Sequence, residues 1–132
     1  MGNIKSYKDL IVWQKSIELV KEVFNLTRQF PKEETYGIVS QMRRAAVSIP
    51  SNIAEGSGRR FTKEWQQFYS IAFGSTLELE TQLIISKDLK LASPDLFQKS
   101  FGLIEEVSKM IRKISYNLKT SYLVSNDLAT IN

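Results

Sequence analysis

The chain has 132 residues, enough for one domain with its own core and too short for two. Hydrophobic residues make up 42% and charged residues 24%, which is ordinary globular usage and excludes a disordered or fibrous class. Cysteine and histidine are absent, which excludes disulfides, cysteine-ligated zinc, histidine-dependent triads and the Glu-x-x-His di-iron sites of helical bundles.

The first predicted element is an amphipathic helix that begins near Ser6 and ends near Arg28. Ser6 can cap it with support from Asp9, and Pro31 disfavours helical backbone at the residue before it. Apolar residues recur in steps of three and four along a main stripe formed by Leu10, Trp13, Ile17, Val20 and Phe24. A second set adjoins that stripe: Val12, Leu19, Val23 and Leu26.

A second helix is predicted after the acidic pair Glu33-Glu34, which suits the N-terminal end of a helix dipole. Its apolar positions at helical spacing are Tyr36, Val39, Met42, Ala46, Ile49 and Ile53. Pro50 lies within this pattern and predicts a kink or break, because it lacks an amide donor and crowds the preceding turn. Gly56 and Gly58 are expected to end the helix by allowing left-handed backbone.

Two further helices complete the predicted fold. Thr62 can cap a third that runs to about Leu91, and Ser93-Pro94 is a start signal for a fourth. The apolar stripe of the fourth helix comprises Phe97, Phe101, Ile104, Ile111, Ile114 and Leu118. We therefore predict an all-α, antiparallel up-down four-helix bundle over residues 1–118, followed by a loose C-terminal tail over residues 119–132.

The apolar surfaces of the first and third helices predict self-association. On the third helix the apolar arc exceeds half the circumference, whereas facing one core needs a stripe somewhat over 100° wide. Subunit contact explains the surplus, and the alternative is a thick core with the C-terminal tail lying over these faces. The small residues Gly74, Ser75 and Gly102 predict close approach of helices, and Trp13 and Trp65 are expected to be at least partly buried.

No arrangement of residues predicts catalysis. The adjacent carboxylates Glu78 and Glu80, Glu105 and Glu106, and Glu33 and Glu34 point in different directions on a helix, so they form neither an acid–base pair nor a metal site. We expect no enzymatic activity, no catalytic residue, no metal and no cofactor. Because the sequence has no cysteine, no bilayer-spanning apolar run and no signal peptide, the expected location is the cytoplasm.

The net charge of +4 is concentrated in one segment. Between Gln41 and Lys63 there is one acid, Glu55, and there are five bases: Arg43, Arg44, Arg59, Arg60 and Lys63. With Phe61 and Trp65 nearby, these bases predict sequence-tolerant nucleic-acid binding, in which cations contact phosphates and rings stack on bases. The alternative is that Arg43 and Arg44 pair with acids of neighbouring helices or subunits, while Arg59 and Arg60 only solubilise a loop.

Several segments resemble a bacterial four-helix-bundle family, the 23S rRNA-intervening sequence proteins. The matching segments are DLIVWQKS at 9–16, FPKEE at 30–34, SQMRRAAVSIPSNIAEG at 40–56 and ELETQL at 78–83. Within them, the residues at the positions of the family signature are Arg43, Arg44, Pro50, Ser51, Asn52, Glu55 and Gly56. The resemblance covers about residues 6–118 and implies a ring, typically a pentamer, with no established enzymatic activity.

The chain is also similar, at the level of fold, to the pentameric accessory protein of diversity-generating retroelements, which binds nucleic acid and a reverse transcriptase. Two functional hypotheses follow. The first is a ring-shaped module that binds RNA, DNA or a nucleic-acid enzyme through its basic segment. The second is a protein-only scaffold whose arginines serve subunit contacts.

Overall fold

The computed structural model describes the backbone of residues 5–131 and the side chains of residues 5–120. Four long helices dominate it: α1 (Ile11–Thr27), α2 (Ser40–Ser57), α3 (Thr62–Asp88) and α4 (Gln98–Ile131). Short 3-10 turns lie at Tyr7–Asp9, Lys32–Glu34 and Pro94–Phe97, and a π-helical turn lies at Thr35–Val39. The described backbone contains no strand, so the predicted all-α fold with four helices is confirmed.

The helices pack in a cycle in which α4 closes against α1. Contacts along each seam show that neighbours run antiparallel. Between α1 and α4, Lys15 pairs with Glu106 and Glu22 pairs with Lys99. Between α2 and α3, the contacts in order along α2 are Met42 with Ser86, Ser48 with Ser75, and Ser57 with Tyr69. The core lies between all four helices, and no helix in the described part of the chain is long and apolar enough to cross a membrane.

The core face of α1 is not the main stripe that the sequence predicted. Its buried residues are Val12, Ser16, Leu19, Val23, Leu26 and Thr27. Ser16 and Thr27 fit this face because their hydroxyls donate to the helix's own carbonyls, Trp13 O at 2.7 Å and Val23 O at 2.8 Å. The predicted stripe from Leu10 to Phe24 is only half-buried and lies toward α2. Trp13 and Trp65 are half-buried, as expected.

The start and the middle of α2 also differ from the prediction. Gly37 adopts a non-helical conformation that separates the turn at Thr35–Val39 from α2, and Tyr36 is 97% exposed instead of lying in the core. The helix then runs without a break from Ser40 to Ser57 with Pro50 inside it, so the predicted interruption is wrong. Pro50 is buried toward α1, and the Asn52 amide donates to the Ser48 carbonyl at 2.8 Å. Packing on both sides therefore holds the turn around the proline.

The glycines act differently from the sequence expectation. No described glycine has a positive φ, and Gly58 ends α2 at φ −87°, so the left-handed helix end is not used. Gly74 and Gly102 have no atom within 4 Å of a built Cβ and hence bring no helices together within the chain. Gly56 is the position of close approach, because a Cβ there would lie 2.9 Å from Phe68 Cβ.

The C-terminal segment is helical backbone where the sequence predicted a loose tail. α4 extends without a break to Ile131, because neither glycine nor proline occurs after Gly102 and nothing in the sequence stops the helix. The domain division at residue 118 remains a prediction.

Candidate nucleic-acid interface

The five predicted basic residues do not form a single patch. Arg43 and Arg44 lie near the beginning of α2, whereas Arg59, Arg60 and Lys63 follow its end. The 16 residues from Arg44 to Arg60 correspond to about 24 Å at 1.5 Å per helical residue. The bases that are adjacent in sequence therefore occupy opposite ends of the bundle.

Arg43 and Arg59 are held by contacts within the fold. Arg43 Nε donates to Thr27 Oγ1 at 3.0 Å, and its guanidinium lies 4.5 Å from the centre of the Phe24 ring. Arg59 pairs with Glu55 at 2.8 Å, and its guanidinium lies 4.6 Å from the centre of the Phe68 ring. The partners of Arg43 are a hydroxyl and a ring, so within the chain the expected acidic partner is not the one that holds it.

Arg44, Arg60 and Lys63 are exposed and have no ion-pair partner among the described residues. Arg60 and Lys63 border an open depression of about 560 Å³ at the corner between α2 and α3. Phe61, which is 61% exposed, lies between them and presents an apolar ring to this depression. The remaining lining residues are Thr62, Glu64 and Gln67.

The N-terminal end of α3 opens onto the same corner. Phe61 occupies the capping position, in place of the predicted Thr62, and no side chain accepts a hydrogen bond there. The first amides of a helix lack intrahelical acceptors and carry the positive end of its dipole. This backbone charge adds to that of Arg60 and Lys63, which favours an anion at the corner.

The fold brings further bases to this end from distant parts of the sequence. The Lys15–Glu106 and Glu22–Lys99 pairs set the antiparallel register of α1 and α4, which places Lys8 level with about Lys113. The Gln66 amide donates to the Ser115 carbonyl, so the start of α3 also lies near this part of α4. We call the exposed bases gathered here the basic end: Lys5, Lys8, Arg59, Arg60, Lys63, Arg112, Lys113 and Lys119.

Few acids oppose the basic end. Those near it in the described structure are Asp9, Glu55 and Glu64. Asp9 accepts the backbone amides of Lys5 and Ser6, and Glu55 is paired with Arg59. The opposite end mixes both signs, with the bases Arg28, Lys32, Arg43, Arg44, Lys87, Lys90 and Lys99 and the acids Glu22, Glu33, Glu34, Asp88 and Asp95. The positive charge is therefore concentrated at one end, a feature that spacing within α2 could not reveal.

The other signature residues mainly support the packing of α2. Pro50 is buried toward α1, and exposed Ser51 lines the shallow depression beside it. The Asn52 amide donates to Ser48, whose hydroxyl lies 2.8 Å from that of Ser75 in α3. Among residues 5–120 there is no cluster of three or more acidic, cysteine or histidine side chains that could hold a metal ion.

The fold and the site together define a helical bundle with a basic end and no evident catalytic constellation in its described part. The chain matches the family model described as "23S rRNA-intervening sequence protein" over residues 8–113. It therefore belongs to the 23S rRNA-intervening sequence protein family, as the sequence resemblance predicted.

A solved structure shares the fold. It is a crystal structure from Bacteroides thetaiotaomicron, described as a protein with unknown function from the S23 ribosomal protein family. The two chains superpose with a TM-score of 0.74 at 21% identity, covering 80% of this chain and 98% of the other. A comparison with curated proteins finds no significant match.

Proposed function

We propose that this protein is a non-catalytic, self-associating bundle that binds the phosphate backbone of RNA or DNA through its basic end. The observation that carries the proposal is the concentration of exposed bases around the α2–α3 corner, with few acids nearby. The family description, which refers to 23S rRNA, favours the same class of partner. An enzyme that acts on nucleic acid, bound through the same surface, is the related possibility that the sequence resemblance implies.

The chemistry of the corner suits a flexible or single-stranded nucleic acid. Lys63 and Arg60 supply cations for phosphates, and the exposed Phe61 ring between them can stack on a base. Such contacts read the backbone and the flat faces of bases, so binding is expected to tolerate many sequences. In a ring, each subunit would repeat the corner, and several weak contacts to one strand would add to useful avidity.

The test is fluorescence anisotropy of labelled RNA and DNA with a corner variant, Arg60→Glu with Lys63→Glu. The matched control is Lys32→Glu with Lys90→Glu, which changes the net charge equally at the opposite end. We expect the corner variant to bind about tenfold or more weakly at low salt and its salt slope to fall by about two, since each lost phosphate contact reduces that slope by about 0.9. The control should bind much more like the wild type.

Equal binding by the corner variant, the control and the wild type would contradict this assignment of the site. Negligible binding by the wild-type protein at low salt would remove nucleic acid as the partner and leave the protein-only scaffold. That second candidate is favoured by one specific observation, the exposed apolar residues on the outer side of α3. Light scattering tests self-association itself, for which the family resemblance predicts a ring of five subunits.

A further inference from the structure

The side of α3 that points away from the core is unusually apolar. Its four large apolar residues, Ile71, Leu77, Ile84 and Ile85, are 44–51% exposed and lie along one side of the helix. Gly74 lies among them with open space around it, although glycine in a helix is unfavourable unless a close contact requires it. We call this surface the α3 face: Ile71, Gly74, Leu77, Glu78, Thr81, Ile84 and Ile85.

A second apolar surface lies across α1 and α2. Two shallow depressions, of about 290 and 410 Å³, meet at Val47. We call this surface the α1–α2 face: Trp13, Ile17, Val20, Phe24, Arg44, Val47 and Pro50. Val47 is 43% exposed, although aliphatic residues surround it.

The C-terminal segment does not cover either face. The sequence left open that this segment folds back over α1 and α3, but α4 is continuous helix to Ile131 and does not turn back. The charges of the two faces are opposite in sign. Glu78 on the α3 face and Asp88 at the end of α3 have no basic partner among the described residues, and Arg44 on the α1–α2 face has no acidic one.

We propose that the α3 face of one subunit packs on the α1–α2 face of a second copy of the chain. This inference rests on the self-association in the proposed function and assigns the surfaces that carry it. Because the two faces differ, the contact is head-to-tail, and a head-to-tail contact generates a ring when its rotation closes. Each copy covers both apolar faces only when it has a neighbour on either side.

The register within one subunit predicts which residues meet. The Ser48–Ser75 hydrogen bond places these two residues at one height in antiparallel helices, so Arg44, four residues before Ser48, is level with about residue 79 of α3. When the ring axis is parallel to the helices, all subunits lie at the same height. Arg44 of one subunit then lies beside Glu78 of the next, and Pro50 lies opposite Gly74, which has no side chain to obstruct it.

The first test blocks each face separately. Val47→Asp places a charge on the α1–α2 face, and Leu77→Asp places one on the α3 face. Both positions are exposed in the single subunit, so both variants should fold, which circular dichroism checks. Ile11→Asp is the matched control, because Ile11 is 63% exposed on α1 outside both faces. We expect each blocked variant to lose the wild-type assembly and the control to keep it.

Mixing the two blocked variants tests the pairing. Each variant retains the face that the other lacks, so an equimolar mixture should form a heterodimer of twice the 15.1 kDa subunit mass and nothing larger. Arg44→Glu should weaken assembly at low salt, and adding Glu78→Arg should restore it. Light scattering after size-exclusion chromatography reads every arm.

Assembly that survives both aspartate substitutions would overturn this assignment, as would blocked variants that fail to pair with each other. A wild-type chain that is monomeric at all micromolar concentrations would overturn the proposal together with self-association. Loss of nucleic-acid binding alone would leave it intact, because the corner variant changes neither face.

Discussion

Replacing Gly56 by alanine tests how closely α2 approaches α3 beside the basic end. The added Cβ would lie 2.9 Å from Phe68 Cβ, 3.0 Å from Tyr69 Cδ1 and 3.1 Å from the Trp65 carbonyl oxygen. Only the tyrosine ring can move without shifting the backbone of α3. Overpacking of this kind costs about 1–3 kcal/mol, and alanine recovers at most about 0.5–1 kcal/mol of helix propensity. We expect the free energy of unfolding to fall by about 1–2 kcal/mol.

The control for this change is Gly102→Ala. Gly102 is an exposed helical glycine of α4 with no atom within 4 Å of a built Cβ, so only the gain in propensity remains, about 0.5–1 kcal/mol. Urea unfolding at one fixed protein concentration compares the two variants, because assembly makes stability depend on concentration. A Gly56→Ala protein as stable as the wild type would refute the reasoning, since it would show that the helix crossing is looser than these distances indicate.

Two further substitutions test individual contacts. Tyr69→Phe removes the 2.8 Å hydrogen bond between the buried phenol and the Ser57 hydroxyl, and we expect urea unfolding to show a loss of about 0.5–1.5 kcal/mol. An unchanged midpoint would show that this bond contributes nothing. Arg43→Ala removes the donor to Thr27 and the stacking on Phe24, so it should lower stability by about 1 kcal/mol. It should leave the nucleic-acid affinity of the folded protein within about twofold of the wild type, and a loss like that of the corner variant would instead make Arg43 a phosphate ligand.

The number and order of the helices were predictable because apolar periodicity and start signals act locally. The Ser93-Pro94 start precedes a 3-10 turn that leads into α4, and Phe97 is fully buried as expected. The orientation of α1 was not predictable in the same way. Two of its core positions hold Ser16 and Thr27, whose hydroxyls bind the helix's own carbonyls, and a pattern of apolar residues does not register such positions.

The candidate site was predictable only in part, because charge along a sequence differs from charge in space. Arg60 and Lys63 were identified correctly as exposed bases, but Arg43 is held by contacts 16 residues away, at Thr27. Lys8 and Lys113 reach the basic end only through the antiparallel pairing of α1 with α4. Gly56 was assigned to a helix end for its backbone freedom, whereas its role depends on α3, to which the local sequence gives no clue.

The seams of the bundle differ in the length of chain that must close to form them. Four residues, 58–61, connect α2 to α3, whereas the Glu22–Lys99 pair joins positions almost 80 residues apart. At about 0.6 kcal/mol for each doubling of loop length, closing the longer loop costs roughly 2.6 kcal/mol more in chain entropy. The seam between the first and last helices is thus the least costly one to open. A bundle that opened there would keep α2 and α3 paired, and the corner that carries Arg60 and Lys63 would survive the opening.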